Sequence, residues 1–355
     1  MSIAEGSLPE LPVTQRADHP DQVWADGVRA ALDYWLSINS ASPTSAITGG
    51  GAIAEAERRF SALVRGRPAL LLPNATSGLR VALQVIGVGQ GDEVLVPEID
   101  WPATRAAVLS LGAVPVPVPV DAETLTIDPR AASASTGPRT RCVVACHLHG
   151  VCADVPRLRQ ALPGLPVLED CAGALGSTLD GVPAGVLGDL AVFSFGPGKT
   201  LTTDEGGMLV AANPDLHSRA VSLVCHPIRQ VLAGLSPDPY GLSVRPARLT
   251  AVLLVHALAS ADLDRRREDH ASAARLTPSK EPAQRVLGAD GRRGNASGQL
   301  PTVMCGPVSM QPLSGASSGA QVLPGASAVA ADLLRQVRLL PVIESSRVTL
   351  ESARS

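Results

Sequence analysis

From Pro68 to Ala211, short runs of valine, leucine and alanine alternate with segments of helical spacing. In order they read "PALLLPN", "TSGLRVALQVIG", "DEVLVPEI", "ATRAAVLSLG", "AVPVPVPVD", "RCVVACHLHG", "VPRLRQAL", "PVLEDCA", "LAVFSFG" and "GGMLVAA". The apolar runs have strand length and few polar interruptions, so a strand made from them needs both faces covered. Amphipathic helices between successive strands supply that cover. The pattern predicts an α/β fold, with a mostly parallel central sheet, helices on both faces and ligand sites at the carboxyl ends of the strands. The chain divides into an N-terminal helical arm at 1–45, a large domain at 46–250 and a reduced C-terminal small domain at 251–355. Helical spacing in the arm runs over 22–39. Residues 277–327 are rich in Gly, Ser, Pro and Ala and read as loop. "AVAADLLRQVRLLPVI" reads as a last helix and strand.

The formal net charge of -3 gives no basic field for nucleic acid or for an anionic membrane. No apolar run reaches the length of a membrane span, and "MSIAEGSLPELPVTQRADHP" lacks a signal pattern, so the expectation is a soluble cytoplasmic protein. The six cysteines form no CxxC pair and fall mostly in apolar runs, which predicts buried, reduced thiols.

Of the 30 basic residues only Lys199 and Lys280 are lysine. Arginine stays charged, whereas a desolvated lysine can lose its proton and attack a carbonyl. Lys199 stands in "FSFGPGKTLTTDEGG", in a Gly/Pro turn after an apolar strand, with Ser194 five residues ahead of it and in reach of a phosphate. Three further strand ends carry polar chemistry. In "LLLPNATSGLRVAL" a helix begins at about Thr76, and its free N–H groups with the Thr76 and Ser77 hydroxyls suit an anion, although Ser and Thr are also ordinary helix caps. In "VPEIDWPAT" Trp101 offers a flat stacking surface, or plain packing. In "PVLEDCAGALG" a buried strand delivers Glu169 and Asp170, suited to holding a protonated ring nitrogen or to a structural ion pair. Lysine, carboxylate, stacking aromatic and phosphate turn are together what pyridoxal phosphate requires. "CHLHGVC" offers His147, His149 and Cys152 as a possible metal set.

Over roughly residues 46–275 the chain resembles the DegT/StrS family of pyridoxal-phosphate sugar aminotransferases, of the aspartate-aminotransferase fold (fold type I). The resemblance is carried by "GGGAIAEAERRF", "NATSGLRVAL", "GDEVLVPEIDWPAT", "GAVPVPVPVDAETLTIDP", "TRCVVACHLHGVCADV", "LEDCAGALG", "GDLAVFSFGPGKTLTTDEGGMLV" and "GLSVRPARLTAVLLVHAL" in order. It implies that Lys199 bonds to the cofactor aldehyde, Asp170 pairs with the pyridine nitrogen, Trp101 stacks on the ring, and Ala75, Thr76 and Ser194 hold the phosphate, beside the Ser77 hydroxyl already read into that turn. It implies no metal, the "CHLHGVC" segment matching a family strand end that uses none. It implies a homodimer in which the "GLSVR" segment, with Ser243 where the family has asparagine, reaches a neighbour's phosphate. Gly173 stands where the family usually has Gln or His, and the family's C-terminal aromatic and basic motifs do not occur after residue 276. The implied activity is transfer of an amino group from glutamate or glutamine to a keto sugar, sugar nucleotide or keto cyclitol, in antibiotic or cell-surface sugar biosynthesis. The shortened C-terminal region leaves a second reading open, a cofactor-binding or regulatory relative impaired in catalysis.

Overall fold

The computed structural model describes residues 26–33, 45–122, 124–197, 199–239 and 241–260, together with the backbone of four short C-terminal strands. Helix α1 covers 26–33. After it come α2 (Ser45–Thr48), α3 (Ala52–Leu63), β1 (Ala69–Leu72), α4 (Ala75–Ile86), β2 (Glu93–Pro97), β3 (Ile99–Asp100), α5 (Pro102–Leu109) and β4 (Val114–Val118). The chain continues through α6 (Pro129–Ala134), β5 (Thr140–Cys146), a 3-10 turn at Leu148–Gly150, α7 (Val155–Ala161), β6 (Val167–Asp170) and a hairpin of β7 (Thr178–Leu179) with β8 (Val182–Pro183). It then forms β9 (Leu190–Ser194), β10 (Gly207–Ala211), α8 (Pro214–Val224), α9 (Pro227–Leu232) and α10 (Arg248–Ser260). The C-terminal strands are β11 (Arg285–Leu287), β12 (Thr302–Met304), β13 (Gln321–Val322) and β14 (Val337–Leu339). Three of these strands fall within 277–327. The rest of that segment, and the expected final helix, lie outside the described residues.

Seven strands form the main sheet in the order β1-β10-β9-β6-β5-β2-β4. From β9 to β4 every neighbouring pair is parallel, whereas β10 is antiparallel to both β9 and β1. Strand β1 is therefore reversed twice and points the same way as the parallel set. Strand β4, "VPVPV", takes an outer edge, where a proline without an N–H costs no ladder bond on the solvent side.

The unbroken apolar runs are explained by cover on both faces. Leu70, Leu72, Val94, Val96, Leu168, Val192 and Leu209 meet α4, α5 and α8 in one buried cluster. Leu71, Phe193, Met208 and Val210 face the opposite way and pack with Ile53, Ala56 and Phe60 of α3 and with Ala251 and Leu254 of α10. A third cluster joins Leu95, Val143, Ala145 and Val167 to α6 and α7. Phe60 stacks edge-on against both Phe193 and Phe195. A partly buried ion pair ties α3 to α9. Arg229 donates to both Glu57 oxygens at 2.9 and 2.7 Å, and the Leu71 N–H donates to Glu57 as well. Cys142, Cys146, Cys152, Cys171 and Cys225 are free thiols, all but Cys152 fully buried. Cys305 lies outside the described residues. Among the described residues no helix is long and apolar enough to cross a membrane.

Candidate functional site

Because β1, β2, β5, β6 and β9 all point one way, their carboxyl ends open onto a single edge of the sheet, where the polar residues predicted from sequence gather. Helix α4 starts at Ala75, one residue before the expected Thr76. Its cap is Asn74, extended at φ -163° and ψ 170°, whose Oδ1 accepts from the Ser77 N–H at 2.8 Å. Asparagine outcompetes the neighbouring hydroxyls because its side chain spans to the third helical N–H. The Thr76 and Ser77 hydroxyls are thereby left without a hydrogen bond among the described residues, facing the helix N-terminus with its partial positive charge. Beneath this turn lies Gly207, the first residue of β10. A Cβ there would stand 2.5 Å from the Asn74 carbonyl carbon and 2.8 Å from the Ala75 nitrogen. Its register partner on β9 is Ser194, at the carboxyl end of that strand.

Successive residues of a strand point to opposite faces, and β6 uses this to separate its two carboxylates. Glu169 accepts from His147 Nε2 at 2.8 Å and from the N–H groups of Gly185 and Leu187 at 2.9 and 2.8 Å. The other nitrogen of His147, Nδ1, accepts from the Ala153 N–H at 2.9 Å, which puts the ring hydrogen on Nε2. Hydrogen bonds to Glu169 outweigh its burial and hold its carboxyl below the usual range. Glu169 and His147 thus form a buried hydrogen-bonded pair, with both imidazole nitrogens engaged among the described residues. The side chain of His149 lies outside the description, and burial pushes the Cys152 thiol up to about 12.

Asp170 faces the site. Thr104, on the first turn of α5, donates its hydroxyl hydrogen to Oδ2 at 3.2 Å, and the Ala172 N–H donates to Oδ1 at 3.0 Å. Burial raises its carboxyl, against the pull of the Ala172 N–H, of Lys199 and of Thr104. Lys199 follows β9 in a turn closed by its own N–H to the Gly196 carbonyl at 3.3 Å. Its ammonium group makes no hydrogen bond among the described residues. Desolvation lowers its pKa, opposed by the negative charge of Asp170, so the amine is more easily freed of its proton than an exposed lysine. Trp101 caps α5 and is 46% exposed, a large apolar surface at the mouth of a polar edge. Ser243 lies apart, exposed, with a left-handed φ of 53°.

Sequence reading singled out Lys199, Asp170, Trp101, Ala75, Thr76, Ser77 and Ser194, and the fold brings all of them to one sheet edge. It gave no role to Asn74, Thr104, Cys146, Asp100 or Gly207. Asp100 and Thr104 stand in the same "DWPAT" as Trp101, and that proximity was the available signal.

This arrangement has counterparts. The sequence pattern of the DegT/DnrJ/EryC1/StrS aminotransferase family matches residues 36–280. The chain belongs to this family. Among DegT/DnrJ/EryC1/StrS relatives, L-glutamine:2-deoxy-scyllo-inosose aminotransferase of Streptomyces kanamyceticus is 37% identical over 207 residues, covering 56% of this chain and 48% of the relative. 3-Amino-5-hydroxybenzoate synthase of Amycolatopsis mediterranei is 39% identical over 180 residues, covering 50% and 46%. The chain spans about half the length of the curated relatives it matches. The crystal structure of 3-amino-5-hydroxybenzoic acid synthase superposes with a TM-score of 0.69 at 29% identity, over 84% of this chain and 76% of that one. DesI, determined with its TDP-sugar product, superposes with a TM-score of 0.68 at 31% identity, over 79% and 69%.

Proposed function

We propose that the chain is a pyridoxal-phosphate-dependent aminotransferase that moves an amino group from glutamine or glutamate to a keto cyclitol or keto sugar. The observation that carries this reading is that a desolvated Lys199 and a buried Asp170 stand near enough to feel each other's charge, on the edge that also presents the Asn74-capped helix start. The donor set fits the cofactor at each end. The first N–H groups of α4, with Thr76, Ser77 and Ser194, would hold its phosphate. Asp170 would keep a proton on its ring nitrogen, and Trp101 would cover a ring face. When bound, pyridoxal phosphate supplies an aldehyde that takes up amines and a ring that accepts the electron pair left at the substrate carbon. With the cofactor held there, the Lys199 amine would take a proton from the donor's α-carbon and return one to the acceptor carbon. Ser243 would complete the phosphate seat of a second copy in a homodimer. The names of the relatives, one using glutamine with a keto cyclitol, support the choice of substrates, and cytoplasmic synthesis of an amino sugar or aminocyclitol suits them.

Purified protein mixed with pyridoxal phosphate should develop an absorption band that borohydride reduction fixes on Lys199 by peptide mapping. Addition of glutamine or glutamate should convert the band, and a keto cyclitol should restore it. A band that forms but stays unchanged with every donor would support the impaired-relative reading. Absence of any band would overturn cofactor use.

A further inference from the structure

Asp100 is a second carboxylate behind Asp170, and nothing above gives it a task. It ends β3, is 2% exposed, and accepts from the Trp101 N–H at 2.7 Å through Oδ1. Its other oxygen, Oδ2, is buried without a hydrogen-bond partner among the described residues. A carboxylate oxygen of Asp100, the Cys146 sulfur at the end of β5 and an oxygen of Asp170 at the end of β6 lie within 4.8 Å of one another. Two carboxylates so close and so buried resist being ionised together near neutrality, because in a desolvated interior each opposes the charge on the other.

The surroundings decide which one keeps the proton. Asp170 has the Thr104 hydroxyl, the Ala172 N–H and the Lys199 charge to stabilise its anion. Asp100 has the Trp101 N–H, with weaker polar help from the Cys146 thiol and the Thr104 hydroxyl, and the titratable groups facing it are Asp170 and that thiol. That thiol stays protonated, since burial and both carboxylates push it upward. On the side of β13 the described contact is backbone pairing of Gln321 with Asp100. We propose that Asp100 is a positioning residue that carries a proton on Oδ2 beside an ionised Asp170, so that the pair bears a single negative charge, matched to one protonated ring nitrogen. Burial and the neighbouring Asp170 push the Asp100 carboxyl from its ordinary 3.8 up to about 7. The match to a ring nitrogen rests on the cofactor proposed above, whereas the shared proton is a property of the protein alone.

The pH dependence of stability of the cofactor-free protein reads the proton directly. An acid whose pKa is raised by folding contributes stability that is present below its unfolded pKa and is lost as pH rises through its folded pKa. The melting temperature of the wild type should therefore fall as pH goes from about 4 to about 7. Asp100→Asn, which keeps the neutral shape, should remove most of that fall and melt higher than wild type above pH 7. Parallel curves for the two proteins would overturn the proposal. If Asp100→Asn does not fold, infrared spectra of wild type carrying ¹³C-labelled aspartate decide the matter: a protonated-carboxyl band titrating near pH 7 is expected, and its absence above pH 5 overturns the proposal. Cofactor titration of both proteins separates the two readings. Diverging stability curves with no cofactor binding by either protein would leave the shared proton standing and remove the cofactor.

Discussion

The α-carbon of Gly207 lies directly under the peptide that joins Asn74 to Ala75, with room for a hydrogen and for nothing larger. The strand that brings it there is β10, the one strand of the main sheet that runs against the rest. The turn that starts α4 is therefore shaped from below by a residue far along the chain.

Gly207→Ala should lift that turn. The atoms it would meet are backbone, which cannot swing aside, so overpacking should cost about 1–3 kcal/mol of stability. Cofactor affinity should fall along with it, because the N–H groups of α4 would no longer converge. Thermal unfolding and a cofactor titration check this, and unchanged affinity in a destabilised variant would move the phosphate seat elsewhere.

Lys199→Ala should abolish the borohydride-fixed cofactor and lower turnover by about 10²–10⁴, the usual loss for a positioned acid–base group. Folding should not suffer. A buried lysine with a lowered pKa imposes its cost fully below its folded pKa, and that cost is relieved as pH rises toward the unfolded value. At pH 7 the variant should melt no lower than wild type, and the gap should narrow at higher pH. A lower melting point would mean that Asp170 depends on the Lys199 charge for the stability of the fold.

Arg229→Ala should be the most damaging single truncation outside the site. It leaves a largely desolvated Glu57 without its cation, and desolvation already raises the Glu57 carboxyl. Loss of one partner of such a pair typically costs about 3–5 kcal/mol. Adding Glu57→Gln should recover part of the loss, measured by denaturant unfolding of the single and double variants.

Ser243→Asn should stabilise the turn. A left-handed conformation costs a non-glycine residue about 1–2 kcal/mol, and asparagine pays least of this because its side chain bonds locally. A gain of a few tenths to about 1 kcal/mol is expected on that ground. Ser243→Ala should weaken cofactor binding about tenfold if the residue reaches a neighbouring copy's phosphate. Sedimentation and titration of both variants report on the turn and on the shared site separately.

Lys199, Asp170 and Trp101 were legible in the sequence because each follows an apolar run directly, and position after a strand fixes position on the ligand edge. Sideways relationships were not legible. Asp100 meets Cys146 and Asp170 only because β5 lies between β2 and β6, and the order of strands leaves no trace in their apolar pattern. The reversal of β10 was hidden for a similar reason, since "GGMLVAA" is equally apolar read in either direction. The clue was the turn between β9 and β10, which holds no helix and so cannot make a parallel crossover. Asn74 was passed over as cap because Thr76 and Ser77 follow it closely, and backbone angles choose among the three. The Glu57–Arg229 pair joins segments that share no motif.

The pairing of β1 with β10 also has a consequence for how the chain is made. β1 emerges well before β10 and, among the described residues, has no other strand partner in the main sheet. Until β10 leaves the ribosome, its apolar "ALLL" presents an open edge of the kind that recruits other chains. The anion-binding turn is unfinished for just as long, because its floor is Gly207. Any nascent or truncated chain that stops short of β10 would have most of the parallel sheet yet no seat for a phosphate, and would be exposed to aggregation at that edge. Completion of the site and protection of the sheet are thus one event, set by when the reversed strand slots between β1 and β9.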